Sequence, residues 1–144
     1  MGRVKIEIPP QSLYSTLIPV RISDVNYGGH VGNDAILTIM HEARIACLQS
    51  LGYRDELSIA PDIGIIVADA AIVYKGESFY GDVLAVNIAV GDFNKYGFDM
   101  YYHITNKASD GEIARGKTGI VCLNYKLRKL APVPQEFAIK LRQQ

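Results

Sequence analysis

The sequence has few cysteines, no excess of charge of either sign and no long apolar run. Its 2 cysteines, Cys47 and Cys122, lie far apart in the apolar stretches ARIACLQSL and GIVCLNY. This pattern is typical of small buried thiols in a reducing compartment rather than of a disulfide scaffold. The three histidines, His30, His41 and His103, form no cluster at metal-ligand spacing, so we expect no metal site.

Charge and hydropathy exclude several classes of partner. Fifteen basic and 15 acidic side chains give a formal net charge of zero, so the broad positive field that attracts nucleic acid or anionic membrane is missing. No run approaches the ~18 apolar residues of a membrane span, and the N-terminus MGRVKIEIPPQ lacks the apolar segment of a secretory signal. We therefore expect a soluble cytoplasmic protein that binds neither nucleic acid nor membrane.

The length indicates a single domain. With 144 residues, 49% of them hydrophobic and 21% charged, the chain has the composition of a folded globular protein. It contains no internal repeat, low-complexity tract or linker, so we expect residues 1–144 to form one domain.

A long helix is predicted after a glycine-rich loop. Residues 34–51 contain no glycine or proline and few β-branched side chains, and Gly52 supplies a stop signal. Apolar side chains cover most of its circumference, so other structure should wrap this helix. One polar stripe with spacings of three and four interrupts the apolar surface, facing solvent, a subunit interface or an active site. Its members are Asp34, Thr38, His41 and Glu42.

The remaining chain has the two-residue period of β-strands. Five strand-like segments are predicted, at residues 14–22, 63–75, 82–93, 98–105 and 112–125. Short links rich in Gly, Asn and Asp indicate antiparallel hairpins, and Pro19 suggests that the first strand lies at an edge or is irregular. One face of the sheet must be covered, and the long helix is the only large element available. The sequence thus predicts an α+β fold, with a short terminal helix at 135–144.

The loop before the long helix, DVNYGGHVGND, is dense in polar groups. Its last residues, Asn33 and Asp34, are suited to cap the helix, and composition alone favours such a capping loop. The alternative is an active site, because the free N–H groups and the dipole at a helix N-terminus polarise a carbonyl.

Residues 111–118, GEIARGKT, match the GxxxxGK[ST] pattern of a phosphate-binding loop. A true phosphate loop opens a helix, whereas here a hairpin-type Asp-Gly precedes the match and the β-rich GIVCLNY follows it. We interpret the match as a strand that fits the pattern by chance. Cations in and after this segment are candidates for holding the phosphates of a ligand. They are Arg115, Lys117, Lys126, Arg128 and Lys129.

The HVGN loop, the helix containing HEAR, the strand series and the closing RKLAPVP together resemble a known family. From about residue 17 to 137 the chain is similar to the hotdog-fold acyl thioesterases related to 4-hydroxybenzoyl-CoA thioesterase and the plant acyl-carrier-protein thioesterases. The strongest parts are HVGN, similar to the family's HVNN, and EAR. The resemblance implies a hotdog fold, with a long central helix wrapped by a curved antiparallel sheet. It also implies a homodimer or dimer of dimers with active sites at the subunit interface.

The resemblance further implies residue roles, with one departure. In many members a DxD motif supplies a carboxylate at its second position as base or nucleophile, but here that position is Asn26 and only Asp24 is acidic. An amide cannot act as a base. Other members place the working Glu on the long helix, at a position corresponding to His41, with Glu42 adjacent. Asn33 falls where the family's carbonyl-polarising backbone N–H lies.

The leading hypothesis is an acyl-CoA thioesterase that uses water and neither a metal nor an organic cofactor. The Asn33 N–H would stabilise the oxyanion, while Asn26 and His30 would orient water or substrate. The proton would go to one of three candidates. These are Asp24, His41 and Glu42.

Three other hypotheses remain open from the sequence. Because Asn26 replaces the usual carboxylate, one alternative is a non-catalytic module that binds acyl-CoA or acyl-carrier protein. A hotdog hydratase or dehydratase is a weaker alternative, and a nucleotide hydrolase is the weakest. The sequence sets neither the acyl group nor the preference between CoA and carrier protein.

Overall fold

One long helix packs against one antiparallel sheet, as the sequence predicts. The computed structural model describes residues 2–142. Its strands are β1 (Tyr14–Pro19), β2 (Ile63–Tyr74), β3 (Val83–Gly91), β4 (Gly97–Asn106), β5 (Glu112–Asn124) and β6 (Lys129–Leu130), and its helices are α1 (Asn33–Ser50) and α2 (Gln135–Arg142). A single 3-10 turn, Ile22–Asp24, follows β1. Residues 143–144 of the predicted terminal helix lie outside the described residues.

The sheet has the order β1-β3-β4-β5-β2, and the short β6 pairs with β5. Every pairing is antiparallel. This order leaves β1 and β2 at the edges, which confirms the edge position suggested by Pro19. The match to a phosphate-loop pattern lies mostly within β5, which confirms its interpretation as a strand.

The core lies between α1 and the inner face of the sheet. Alternating side chains of β3 and β4 are buried there, among them Val86 and Met100 at 0% exposure. The helix approaches β5 so closely that a Cβ on Gly116 would stand 2.6 Å from the sulfur of Met40. Glycine at 116 therefore sets the distance between helix and sheet.

The two cysteines are confirmed as free, buried core residues. Burial raises the pKa of Cys47 to about 12 and that of Cys122 to about 11, so both remain protonated thiols at neutral pH. Within residues 2–142, neither helix combines the length and apolar character needed to cross a membrane.

Candidate active site

The loop before α1 is held by its own hydrogen bonds. The Asn26 side-chain oxygen accepts the Gly28 N–H at 2.9 Å, and the Asn26 N–H donates to the His30 carbonyl at 2.9 Å. The His30 ring lies 3.2 Å, through Nδ1, from the Val31 carbonyl, so this nitrogen carries a proton and donates it. These contacts give the loop a fixed shape beside the start of the helix.

Helix α1 begins at Asn33, its N-cap residue is Gly32, and no side chain caps it, so the expected capping by Asn33 or Asp34 is wrong. Within residues 2–142, no group accepts a hydrogen bond from the Asn33 N–H. A Cβ on Gly32 would stand 2.8 Å from Asp34 Oδ1 and 3.8 Å from Asn26 Nδ2, so an amide and a carboxylate flank this helix end. The free N–H and the helix dipole make the site suitable for polarising a carbonyl oxygen.

The Asp24 carboxylate is bonded to Arg21, while its backbone carbonyl accepts the Gly32 N–H at 3.0 Å. Asp24 is 5% exposed, and its carboxylate accepts the Arg21 N–H at 2.8 Å and an Arg21 guanidinium N–H at 3.1 Å. The Asp24 hydrogen bond is the largest cause of the raised pKa of Arg21, and the charge of Glu42 adds to it. Asp24 therefore anchors the loop, and the charge of the exposed Glu42 is close enough to contribute to the raised pKa of Arg21.

A cavity of about 330 Å³ lies between α1 and the edge strand β2. Its walls are mainly apolar, and its polar groups come from the middle turns of α1 and from β5. The lining residues are Leu37, Thr38, His41, Arg44, Val67, Ala70 and Thr118. Of the three candidate proton acceptors, only His41 lines this cavity.

A chain of hydrogen bonds connects the wall of this cavity to the core. His41 Nε2 lies 3.1 Å from Glu56 Oε1, and Arg44 donates to Glu56 Oε2 at 2.6 Å. Arg44 also donates to the Tyr102 hydroxyl at 3.0 Å, which in turn lies 2.8 Å from the Thr118 hydroxyl. Burial alone would lower the pKa of Arg44, but Tyr102 and Glu56 outweigh it and raise this pKa. The arginine is thus a permanent buried cation.

Within one chain, the N-terminus of α1 lies far from the hydrogen-bonded cluster of His41, Glu56 and Arg44. Asn33 and His41 are eight residues apart on α1, a separation of about 12 Å along the helix axis at 1.5 Å per residue. One thioester carbon cannot contact both groups at once in a single subunit.

The predicted phosphate-binding cations do not converge. Arg115 is near the start of β5 and donates to Glu112 at 2.6 Å, and Lys117 lies 2.9 Å from Asp69. Lys126, Arg128 and Lys129 follow the far end of β5, which is about 30 Å away from Arg115 at 3.3 Å per residue. The expected single cluster is therefore divided in two, because an extended strand separates its members.

A second cavity lies near the end of β5, where the chain leads to Lys126, Arg128 and Lys129. This cavity, of about 480 Å³, is lined by Tyr125, which directly precedes them, and shares Val67 with the first. Glu56 also lines the second cavity, whereas its partners His41 and Arg44 line the first. The hydrogen-bonded cluster of these three residues therefore lies between the two cavities. Neither Lys126, Arg128 nor Lys129 pairs with a carboxylate within residues 2–142.

Sequence reasoning missed Glu56, Tyr102 and Thr118. Arg44 offered one signal, since an arginine on an apolar helix needs a buried partner. No spacing rule identifies that partner, because Glu56 is 12 residues away in a turn. Within the described part of the chain, no group of three or more His, Cys, Asp or Glu side chains is placed to hold a metal ion.

Comparison with known proteins adds to this geometry. Residues 20–141 match the sequence model of a protein family, the thioesterase-like superfamily. A 1,4-dihydroxy-2-naphthoyl-CoA hydrolase of Synechocystis is 30% identical over 120 residues, covering 82% of this chain and 86% of that protein. The hydrolase of that name from Acaryochloris marina is 30% identical over 121 residues, covering 82% and 88%. The crystal structure of a 1,4-dihydroxy-2-naphthoyl-CoA thioesterase from Synechocystis matches with a TM-score of 0.81, 26% identity and coverage of 89% and 94%.

Proposed function

The chain belongs to the thioesterase-like superfamily and is an acyl-CoA thioesterase, and from this premise we propose that it cleaves aromatic acyl-CoA thioesters. The observation that carries this proposal is the cavity beside α1. Its volume of about 330 Å³ falls in the range of small-ligand pockets, and its mainly apolar walls suit a flat acyl group. The names of the two relatives that are 30% identical support an aromatic substrate.

The proposed enzyme is at least a homodimer, joined along the edge strand β2. Within residues 2–142, β2 has a strand partner on one side alone, and Ile66 and Val67 in its middle are 38% and 40% exposed. Leu37 on α1 faces the same region and is 45% exposed. A second copy would cover this edge and these apolar side chains.

The dimer would also complete the active site. If a two-fold axis passes near Leu37, antiparallel α1 helices bring position 33 of one subunit opposite position 41 of the other. The site would then combine the free Asn33 N–H of one subunit with His41 of the partner subunit. This arrangement removes the separation of about 12 Å that divides the two groups within one chain.

The proposed reaction needs only water as co-substrate. The Asn33 N–H holds the thioester carbonyl oxygen, and Asn26 and His30 line the approach to it. Water adds to the carbonyl carbon as its proton passes to His41. The carbon–sulfur bond then breaks, and the sulfur takes the proton from His41 to give free CoA and the carboxylic acid.

The cations after β5 are the proposed site for the CoA phosphates. Lys126, Arg128 and Lys129 are exposed and follow Tyr125, which lines the second cavity, and Val67 lines both cavities. This arrangement favours CoA over a carrier protein as the leaving group. Neutralising the pair Lys126 and Arg128 should raise KM more than it lowers kcat, whereas Arg115 and Lys117 already pair with carboxylates.

The free, fully buried Cys47 and Cys122 support the cytoplasm as the proposed location, because that compartment keeps thiols reduced.

The function is tested by thiol release from a panel of acyl-CoA esters. The panel contains benzoyl, hydroxybenzoyl and dihydroxynaphthoyl thioesters beside straight-chain esters of short and long length. We expect the aromatic esters to give the highest kcat/KM. A preference for long straight chains would refute the aromatic assignment, and no turnover of any ester would refute the hydrolase itself.

A further inference from the structure

The turn between α1 and β2 supplies a carboxylate to the proposed proton acceptor. Glu56 Oε1 lies 3.1 Å from His41 Nε2, and the other oxygen of Glu56 accepts the Arg44 N–H at 2.6 Å. We propose that Glu56 is a positioning residue for thioester hydrolysis, which holds the His41 proton on Nε2 and leaves the Nδ1 lone pair free for water. The inference rests on the proposed function, in which His41 accepts the proton.

The protonation pattern follows from the chemistry of a carboxylate. An ionised carboxylate only accepts hydrogen bonds, so the nitrogen facing Glu56 must be the one that carries the proton. In neutral imidazole the other nitrogen is then the acceptor. No residue within 2–142 hydrogen-bonds to His41 Nδ1, so this lone pair is available to a water molecule.

Glu56 is fixed in position by both its backbone and its side chain. Its carbonyl accepts the Ile65 N–H at 2.8 Å, which ties the turn to β2. Its side chain is held by Arg44, whose own side chain is 7% exposed and bonded to Tyr102 in the core. The His41 side chain, by contrast, is 53% exposed and has Glu56 as its one described hydrogen-bond partner. Glu56 is therefore the group that orients this ring.

The pairing with Arg44 determines what substitution of Glu56 would do. A glutamine at 56 has a single acceptor oxygen, and the permanently protonated Arg44 N–H requires it. The amide NH₂ would then point towards His41 Nε2 and make that nitrogen an acceptor. The proton would move to Nδ1, and His41 would no longer offer a lone pair to water.

The experiment compares Glu56→Gln with wild type on the best substrate of the acyl-CoA panel. We expect kcat to fall by about tenfold to 100-fold with little change in KM, because the wrong imidazole tautomer removes much of a general base's contribution. Glu136→Gln on α2, the same chemical change at an exposed site, is the matched control and should keep wild-type kinetics.

A double-mutant cycle distinguishes positioning from a structural role. If Glu56 acts through His41, Glu56→Gln should lower kcat no further when His41 is already alanine. A merely structural effect would persist in the His41→Ala background and would also lower the melting temperature. An additive loss would therefore overturn the inference.

Histidine ¹⁵N NMR of the wild-type enzyme tests the inference without any variant. The expected spectrum of neutral His41 shows a protonated Nε2 and an unprotonated Nδ1. A protonated Nδ1 would refute the role of Glu56, even if Glu56→Gln failed to fold. An active wild type with unchanged Glu56→Gln kinetics would refute the positioning role alone, whereas an inactive wild type would refute the hydrolase.

Discussion

Asn26 provides an amide where the resemblance to the thioesterase family implies a carboxylate, and its hydrogen bonds define what the amide does. Its side-chain oxygen accepts the Gly28 N–H, and its own N–H bonds to the His30 carbonyl. The residue therefore shapes the loop at the start of α1, and the proton must go elsewhere in the proposed mechanism.

Substituting Asn26 tests this division of roles. Aspartate keeps the acceptor for the Gly28 N–H, so Asn26→Asp should change the unfolding free energy by less than about 1 kcal/mol and retain or increase kcat. Alanine removes the acceptor, and Asn26→Ala should cost about 1 kcal/mol and lower kcat. Urea unfolding and thiol-release kinetics provide both values. A large loss of kcat in Asn26→Asp would show that the neutral amide is essential.

The Asn33 N–H can be deleted with little effect on the fold. Asn33 is the first residue of α1, where proline is tolerated, and Gly32 has the extended φ of −72° and ψ of 156° that a residue before proline prefers. We expect Asn33→Pro to lower kcat by about 100-fold, the usual effect of losing one oxyanion donor. Asn33→Ala retains the N–H and should stay close to wild type. Equal kinetics in the two variants would contradict an oxyanion role for this group.

At the residue scale, the sequence predicts which residues belong to the candidate site better than it predicts which residues they contact. It placed the start of α1 within one residue and identified the polar stripe containing His41, because both follow from helical spacing and loop composition. It was wrong about the cap, since the N-cap residue is Gly32 and no side chain caps the helix. It did not identify Glu56, because contact between a helix residue and a later turn depends on the path of the chain.

At the scale of elements, the helices and long strands were predictable and the short ones were not. The predicted helix at 34–51 is found at Asn33–Ser50, and the predicted strand at 63–75 is found at Ile63–Tyr74. Both have enough residues for a period of 3.6 or 2 to be visible. The 3-10 turn Ile22–Asp24 and β6 have three and two residues, too few to show any period.

The β4–β5 hairpin contains an ion cluster with a predictable response to acid. Glu112 accepts hydrogen bonds from His103 and Arg115, each at 2.6 Å. Partial burial alone would raise the pKa of Glu112, but the hydrogen bonds and charges of Arg115 and His103 outweigh it and lower this pKa below 4.5. A lowered carboxyl pKa adds stability above the unfolded-state pKa, and this contribution is lost as the pH falls through the folded-state pKa.

We therefore expect wild type to lose more unfolding free energy than Glu112→Gln between about pH 6 and about pH 3. The glutamine variant should be less stable at the upper pH and should approach wild type at the lower one. Urea titrations across this range measure the difference. Parallel pH profiles for the two proteins would show that Glu112 contributes nothing through its charge.

At the scale of the whole molecule, a single copy leaves the edge of the sheet uncovered and the proposed site divided. The edge strand β2 exposes apolar side chains at its middle, and the two halves of the proposed site lie about 12 Å apart on α1. A second copy placed on β2 addresses both at once. Light scattering should therefore give a mass of roughly 32 kDa or a multiple of it, from protomers of 15.9 kDa.

Subunit complementation tests whether the active site is shared between copies. Asn33→Pro and His41→Ala should each be nearly inactive as homodimers. In a heterodimer of the two, one of its two sites combines the intact Asn33 N–H of the His41→Ala chain with the intact His41 of the Asn33→Pro chain. Co-expression with two affinity tags should thus yield a heterodimer with about half the wild-type kcat per dimer, since one site in two is restored. If both groups acted within one chain, each site of the heterodimer would lack one of them, and its activity would stay as low as that of the two homodimers.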